Sequence, residues 1–222
     1  MHQYIEHTNL NPLLSSIDVE KLVDEALFYQ FISVCVPPFW VKKAKRDIGI
    51  SPVQVATVIG FPLGYQRTEA KIREIELAIQ DGATELDMVL NLSCIKTGTY
   101  FWAKAEIARC AKVCHDSMTV LKVILETAYL TDDEIKLSAK LCEDAGADFV
   151  KTSTGFAPTG ATIEHVQLLR NTLHPETGIK ASGGIRTLEQ AQAMLFAGAN
   201  RIGTSSGVAI MQKYYQEQLE KL

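Results

Sequence analysis

Residues 148–155 read Asp-Phe-Val-Lys-Thr-Ser-Thr-Gly. As a strand, the stretch sends Phe149 and Lys151 to one face and Val150 and Thr152 to the other. Lys151 then follows an apolar pair inside a short buried strand, a costly place for an ammonium group because desolvation disfavours its charged form. A hydroxyl run and a glycine follow at once. The stretch predicts a strand that ends at a working surface, with Lys151 as a reactive amine.

Outward from it, short apolar strands alternate with amphipathic helices along the whole chain. Strands are expected near 3–7, 31–36, 53–59, 85–90, 119–125, 178–182 and 200–204. Helices are expected between them, over about 39–47, 68–81, 100–114, 162–171 and 187–196, with a final helix after the last strand to the C-terminus. The first helix is expected to start near Asp18 with that side chain as its cap, and Thr131-Asp132-Asp133-Glu134 reads as a capping box opening another. About eight β/α units in 222 residues predict an α/β fold, a single (β/α)8 TIM barrel that takes residues 1–222 as one domain. An open Rossmann-like sheet is the alternative, but no G-x-G-x-x-G follows the first strand.

Composition narrows the classes of function. A hydrophobic content of 47% marks a well-packed globular chain, and a net charge of −4 gives no footprint for nucleic acid. Residues 1–6 lack a signal-peptide pattern, and no apolar run approaches the roughly 18–20 residues of a membrane span. The expectation is a cytoplasmic protein with no nucleic-acid or membrane partner. The five cysteines, Cys35, Cys94, Cys110, Cys114 and Cys142, read as free thiols. Cys110, Cys114 and His115 lie close in sequence but fall short of a four-ligand zinc pattern, so no metal is expected.

In a closed barrel one parity of each strand faces inward. Asp87 shares a face with Glu85 and Val89, Lys122 with Ile124 and Glu126, and Lys180 lies opposite Ile179 and Ala181. Ser33, Cys35 and Thr57 are expected on the inward face of the early strands. A single strand lysine is ordinarily an edge or surface residue, but three in consecutive central strands are hard to place in solvent. An amine must be neutral to attack a carbonyl, and free lysine titrates near about 10.4. An apolar pocket or a second cation lowers that value. Lys151 and Lys180 sit on adjacent strands and can supply nucleophile and perturber in either order, with Asp87 for proton transfer. The last two loops, Ser182-Gly183-Gly184-Ile185-Arg186 and Gly203-Thr204-Ser205-Ser206-Gly207, suit phosphate. Cys35 is either an aldehyde-reactive thiol at the barrel mouth or a small core residue.

The chain closely resembles the deoxyribose-phosphate aldolases over nearly its whole length. The resemblance is carried by residues 55–62 (VATVIGFP), 85–91 (ELDMVLN), 121–127 (LKVILET), 149–156 (FVKTSTGF) and 179–187 (IKASGGIRT). It implies a metal-independent class I aldolase, without cofactor, that interconverts 2-deoxy-D-ribose 5-phosphate with acetaldehyde and D-glyceraldehyde 3-phosphate in deoxyribonucleotide catabolism. It places the Schiff-base amine on Lys151, a second active-site lysine on Lys180 and the proton-relay aspartate on Asp87. Lys122 and Thr152 are implied as supporting residues, and phosphate contacts fall on Gly183, Gly184, Ser205 and Ser206. Partners are phosphosugar and aldehyde substrates and further copies of the chain, as a homodimer or homotetramer.

The chain departs from the pattern in three places. Phe156 stands where some members carry a lysine, Glu6 where an aspartate is usual, and residues 220–222 supply no terminal tyrosine. Two other readings compete: another lysine-dependent phosphosugar aldolase or transaldolase, and a non-catalytic barrel that only binds a phosphosugar.

Overall fold

The structure, a computed structural model, describes residues 1–220. Eight strands, β1 (Ile5–Thr8), β2 (Ser33–Val36), β3 (Gln54–Ile59), β4 (Glu85–Val89), β5 (Val120–Ile124), β6 (Phe149–Lys151), β7 (Gly178–Ser182) and β8 (Arg201–Thr204), pair in sequence order. All pairings are parallel, and Ile5–His7 of β1 close the ring against Ile202–Thr204 of β8. The sheet has no edge, which rules out the open doubly wound alternative. The fold is a (β/α)8 TIM barrel.

The helices are α1 (Ser16–Tyr29), α2 (Val41–Ile48), α3 (Thr68–Gln80), α4 (Leu92–Lys96), α5 (Tyr100–Asp116), α6 (Asp132–Asp144), α7 (Ile163–Thr172), α8 (Leu188–Phe196) and α9 (Gly207–Leu219). Thr131 and Glu134 form the expected capping box of α6. Asp18 is not the cap of α1. Ser15 caps the helix, and Asp18 answers from the third helical position by accepting the Ser15 N–H at 2.8 Å. The reciprocal pair satisfies two end donors where a lone aspartate cap satisfies one, which starts the helix earlier. The short α4, capped by Asn91, has too few residues to show a helical period in sequence. The last helix was expected to reach the C-terminus, of which Lys221 and Leu222 lie outside the described residues.

Strand parity separates two apolar regions. Outward side chains such as Val34, Leu86, Val123, Val150 and Ile179 pack under the helices in the main core, each contributing roughly 1.5–3 kcal/mol by burial. Cys35, Ala56 and Val58 form a separate cluster inside the barrel. Thr57, expected inward, lies between Val55 and Ile59 of the outer core and faces the helices. Its hydroxyl donates to the Val36 carbonyl at 2.7 Å, so a polar side chain is satisfied there without reaching the bore.

Candidate active site

The bore carries six buried ionisable groups. Period-two alternation brings Glu6 in from β1, Glu85 and Asp87 from β4, Lys122 from β5, Lys151 from β6 and Lys180 from β7. The pairing registers set Asp87 beside Lys122 and Lys151 beside Lys180. One oxygen organises the group. Asp87 Oδ2 accepts from Lys151 Nζ at 2.8 Å and from Lys180 Nζ at 2.7 Å. Lys122 Nζ donates to Asp87 Oδ1 at 3.2 Å and also binds Glu85 and Glu6, while Lys180 binds Glu6 as well. Three lysines thus face three acidic side chains, all of them buried. Of the three lysines only Lys151 retains any accessible surface, 2% against 0% for Lys122 and Lys180.

Burial alone would raise the Asp87 carboxyl, but Lys122, Lys151 and Lys180 outweigh it and hold Asp87 well below the usual range. Glu6 is lowered in the same way, its burial being overcome by Lys122 and Lys180. Burial works to lower Lys122 and Lys180, yet their carboxylate partners, Asp87 and Glu6 foremost, raise both above the ordinary lysine value. Lys180 is therefore a fixed cation beside Lys151, coupled to it through a shared oxygen.

This sets the expected pH dependence of stability. Asp87 and Glu6, held low, contribute stability that is present above about 4 and is lost as pH falls through their lowered values. Lys122 and Lys180, held high, contribute stability present below about 10.4 and lost as pH rises through their raised values. His7, which burial lowers, removes stability on the acid side of about 6.5. The melting temperature should be flat from about pH 7 to 9, decline gently below that, and fall steeply under about pH 4. A calorimetric scan across pH that found a steady fall from pH 9 to 7 would contradict this electrostatic picture.

A cavity of about 620 Å³ opens at the C-terminal ends of the strands and reaches Lys151, with Phe156, Gly183, Gly184, Gly203 and Ser205 in its wall. Gly183 and Gly184 adopt φ of 86° and 80°, backbone that suits glycine. The loop is also pinned by close approach. A Cβ on Gly160 would lie 2.1 Å from the Gly183 oxygen. Ser206 does not line this cavity; it lies in a neighbouring groove between α1 and α9, and its N–H donates to Thr204 Oγ1. The helix that begins at Gly207 has no side-chain cap, so first-turn N–H groups stand open beside the Ser205 loop.

Thr152 serves the frame. Its hydroxyl donates to the Ser182 carbonyl at 3.2 Å and accepts the Ser182 N–H at 3.1 Å, tying β6 to β7 just beyond the two lysines. Cys35 is wholly buried and burial pushes its thiol up to about 11, so an aldehyde would have to enter the bore to meet it. Cys110 and Cys114 are buried thiols pushed up to about 12, and no cluster of three or more metal-ligating side chains occurs among the described residues. Nor does any helix among them have the length and apolarity to cross a membrane.

A family model described as DeoC/LacD family aldolase matches residues 1–213. The chain belongs to this family. It is 53% identical over 212 residues to the deoxyribose-phosphate aldolase of Thermococcus gammatolerans, covering 95% of this chain and 94% of that one. It is 50% identical over 211 residues to the deoxyribose-phosphate aldolase of Brevibacillus brevis, covering 95% of each. Among solved structures, an aldolase designated QR15 superposes with a TM-score of 0.93 at 44% identity, over 98% of this chain and 97% of that one. The tetrameric deoxyribose phosphate aldolase of Aeropyrum pernix follows at 0.89 and 35%, over 96% and 90%.

In this member of the aldolase family, the sequence named Glu6 and Glu126 without revealing their part in the site. Glu6 is not a peripheral departure: its carboxylate bonds both Lys122 and Lys180. Glu126, in a left-handed conformation at φ 52°, accepts from the Thr154 N–H and hydroxyl, and Thr154 Oγ1 accepts the Phe156 N–H at 3.0 Å. A buried carboxylate thereby shapes the turn after Lys151.

Proposed function

We propose that the chain cleaves 2-deoxy-D-ribose 5-phosphate reversibly to acetaldehyde and D-glyceraldehyde 3-phosphate, with Lys151 as the Schiff-base amine. The observation that carries this reading is the single oxygen of Asp87 bonded to both Lys151 and Lys180 at the foot of an open cavity. Lys151 Nζ attacks C1 of the open-chain sugar, water leaves, and an iminium forms. The C2–C3 bond then breaks. Its electrons flow into the iminium, the C3 hydroxyl gives up its proton, and a two-carbon enamine stays on Lys151 while glyceraldehyde 3-phosphate departs.

Electrostatics couples these events. Part of the charge that holds Asp87 low belongs to Lys151 itself. When the iminium becomes a neutral enamine that charge vanishes, and Asp87 grows more basic as the C3 proton is released. Lys180, bonded to the same oxygen, passes the proton onward and returns it to the enamine carbon. Hydrolysis frees acetaldehyde and the amine.

The phosphate fits the open end of the cavity, against Gly183, Gly184, the Ser205 loop and the N-terminus of α9. A grip remote from C1 positions the carbonyl over Lys151. Substrates of this class serve the breakdown of deoxyribonucleotides in the cytoplasm. The Aeropyrum pernix relative is a tetramer, and we extend self-association to this chain as a homodimer or homotetramer.

The test is reductive trapping. Acetaldehyde with borohydride should leave a two-carbon adduct on Lys151, located by peptide mapping. An adduct on Lys180 or Lys122 would reassign the roles, and binding of deoxyribose 5-phosphate without turnover would favour a non-catalytic barrel. Gly203 offers a subtler check. A Cβ there would lie 2.9 Å from Lys180 Cε and 3.0 Å from Ser182 Cβ. Gly203→Ala should displace Lys180 from Asp87, lowering kcat by about tenfold or more and stability by roughly 1–3 kcal/mol. Wild-type kcat in that variant would show that the Lys180 position is not critical.

A further inference from the structure

Among the described residues, three other than glycine have a positive φ: Gln30, Met118 and Glu126. Gln30 and Met118 follow the ends of α1 and α5, where a left-handed residue is an ordinary stop. Glu126 follows no helix. It sits just past the end of β5, 4% exposed, with φ 52° and ψ 65°. Such a conformation carries strain, so the surrounding contacts must hold it.

The hydrogen bonds between β5 and β6 show how it arises. Leu125 N–H donates to the Lys151 carbonyl at 2.9 Å. In a regular parallel ladder the next donor, Thr127 N–H, would reach Ser153. It reaches the Thr152 carbonyl instead, at 2.9 Å. The Ser153 carbonyl accepts from the Ser182 hydroxyl of β7 at 2.6 Å. Glu126 is therefore one residue too many on its side of the ladder, a bulge at the barrel rim of the kind that re-aims a side chain. Strict alternation would send Glu126 inward with Lys122 and Ile124. The bulge brings its carboxylate to Thr154, where both oxygens accept from the Thr154 N–H at 3.2 Å and Oε2 also accepts the Thr154 hydroxyl.

We infer that Glu126 is a positioning residue for the phosphorylated end of the substrate, and that it acts by holding the Thr154–Phe156 turn against the glycine loop after β7. The inference rests on placing the phosphate at Gly183 and Gly184. Glu126 is not in the cavity wall, whereas Thr154, Gly155 and Phe156 are. Thr154 Oγ1 passes the hold onward by accepting the Phe156 N–H at 3.0 Å, so one carboxylate fixes both ends of the turn. A Cβ on Gly183 would lie 3.5 Å from Ser153 Cβ and 3.6 Å from Gly155 Cα, which puts turn and loop in direct contact. Lys151 is held separately, its Nζ by Asp87 and its carbonyl by Leu125. Loosening the turn should therefore reshape the phosphate end of the cavity more than the reacting end.

The experiment measures kcat/KM for 2-deoxyribose 5-phosphate against that for unphosphorylated 2-deoxyribose. The wild type should prefer the phosphorylated sugar. Glu126→Gln keeps the size of the side chain but puts an amide NH2 where the Thr154 hydroxyl needs an acceptor. It should lower the preference by about 10- to 100-fold, chiefly through KM. Thr154→Val removes the hydroxyl at similar shape, should lower the preference in the same way, and carries the test should Glu126→Gln fail to fold. Thr154→Ser keeps the hydroxyl and should keep the wild-type ratio. The double variant Glu126→Gln/Thr154→Val should lose no more preference than either single one, because both break the same link. A general loosening of the barrel would slow both sugars and leave the ratio unmoved. Folded Glu126→Gln and Thr154→Val variants with the wild-type ratio would overturn the positioning role, as would full additivity in the double variant. A wild type with no preference for the phosphorylated sugar would overturn the phosphate placement itself and the inference with it, a failure visible before any variant is made.

Discussion

Replacing Lys151 with leucine should reduce cleavage of deoxyribose 5-phosphate by on the order of 10⁵-fold or more while the barrel stays folded. The size follows from what the amine supplies. On the proposed mechanism, removing the iminium removes the electron sink for the C2–C3 bond and leaves phosphate binding, Asp87 and Lys180 to supply only positioning and proton transfer. The fold survives because the substitution leaves no buried carboxylate unpaired. Asp87 keeps Lys180 at 2.7 Å and Lys122 at 3.2 Å, while leucine fills much of the volume next to an already apolar strand. Lys151→Arg makes the complementary case. It keeps the cation beside Asp87 but offers no amine able to form the iminium, so it should be as inactive as leucine. The readouts are single-turnover cleavage and the melting temperature. Residual activity within 100-fold of wild type in either variant, with Lys180 unlabelled by borohydride, would remove Lys151 from the chemistry.

How far the sequence carries can be judged residue by residue. Period-two alternation of apolar and polar residue types around Leu86, Val123 and Ile179 made the strands legible, because outward apolar residues must meet helices whatever the bore contains. The same alternation put Asp87, Lys122, Lys151 and Lys180 on one surface. It misled at Thr57, where a backbone carbonyl satisfies an outward hydroxyl. It was silent at Glu6, since β1 has four residues and both Glu6 and His7 are polar and buried. Only closure of the ring shows that Glu6 faces Lys180 while His7 bonds Glu25 of α1 at 2.7 Å. Glu126 was hidden for another reason. A positive φ at a non-glycine residue is imposed by tertiary contacts, here with Thr154, and local sequence does not announce it.

Lys180→Met separates catalysis from architecture, and Glu6 is the means of doing so. The single substitution should lower kcat by about 10²–10⁴-fold through loss of proton transfer. It should also cost stability, because Glu6 is left with Lys122 at 3.3 Å and a more distant Arg201 at 4.0 Å, and Asp87 loses its 2.7 Å partner. Breaking one side of a buried ion pair typically costs about 3–5 kcal/mol. A loss of activity in that variant alone is therefore ambiguous. Adding Glu6→Gln removes the orphaned charge and should restore part of the stability, since a neutral amide needs only hydrogen bonds where the carboxylate needed a cation. If Lys180 carries protons, the double variant should be more stable than Lys180→Met yet no more active. Its acetaldehyde adduct on Lys151 should still form under borohydride, because trapping needs the iminium and not the later proton transfers. If kcat instead rises in step with the melting temperature, Lys180 is a structural cation whose loss merely loosened the bore, and the proton must travel from Asp87 by another route.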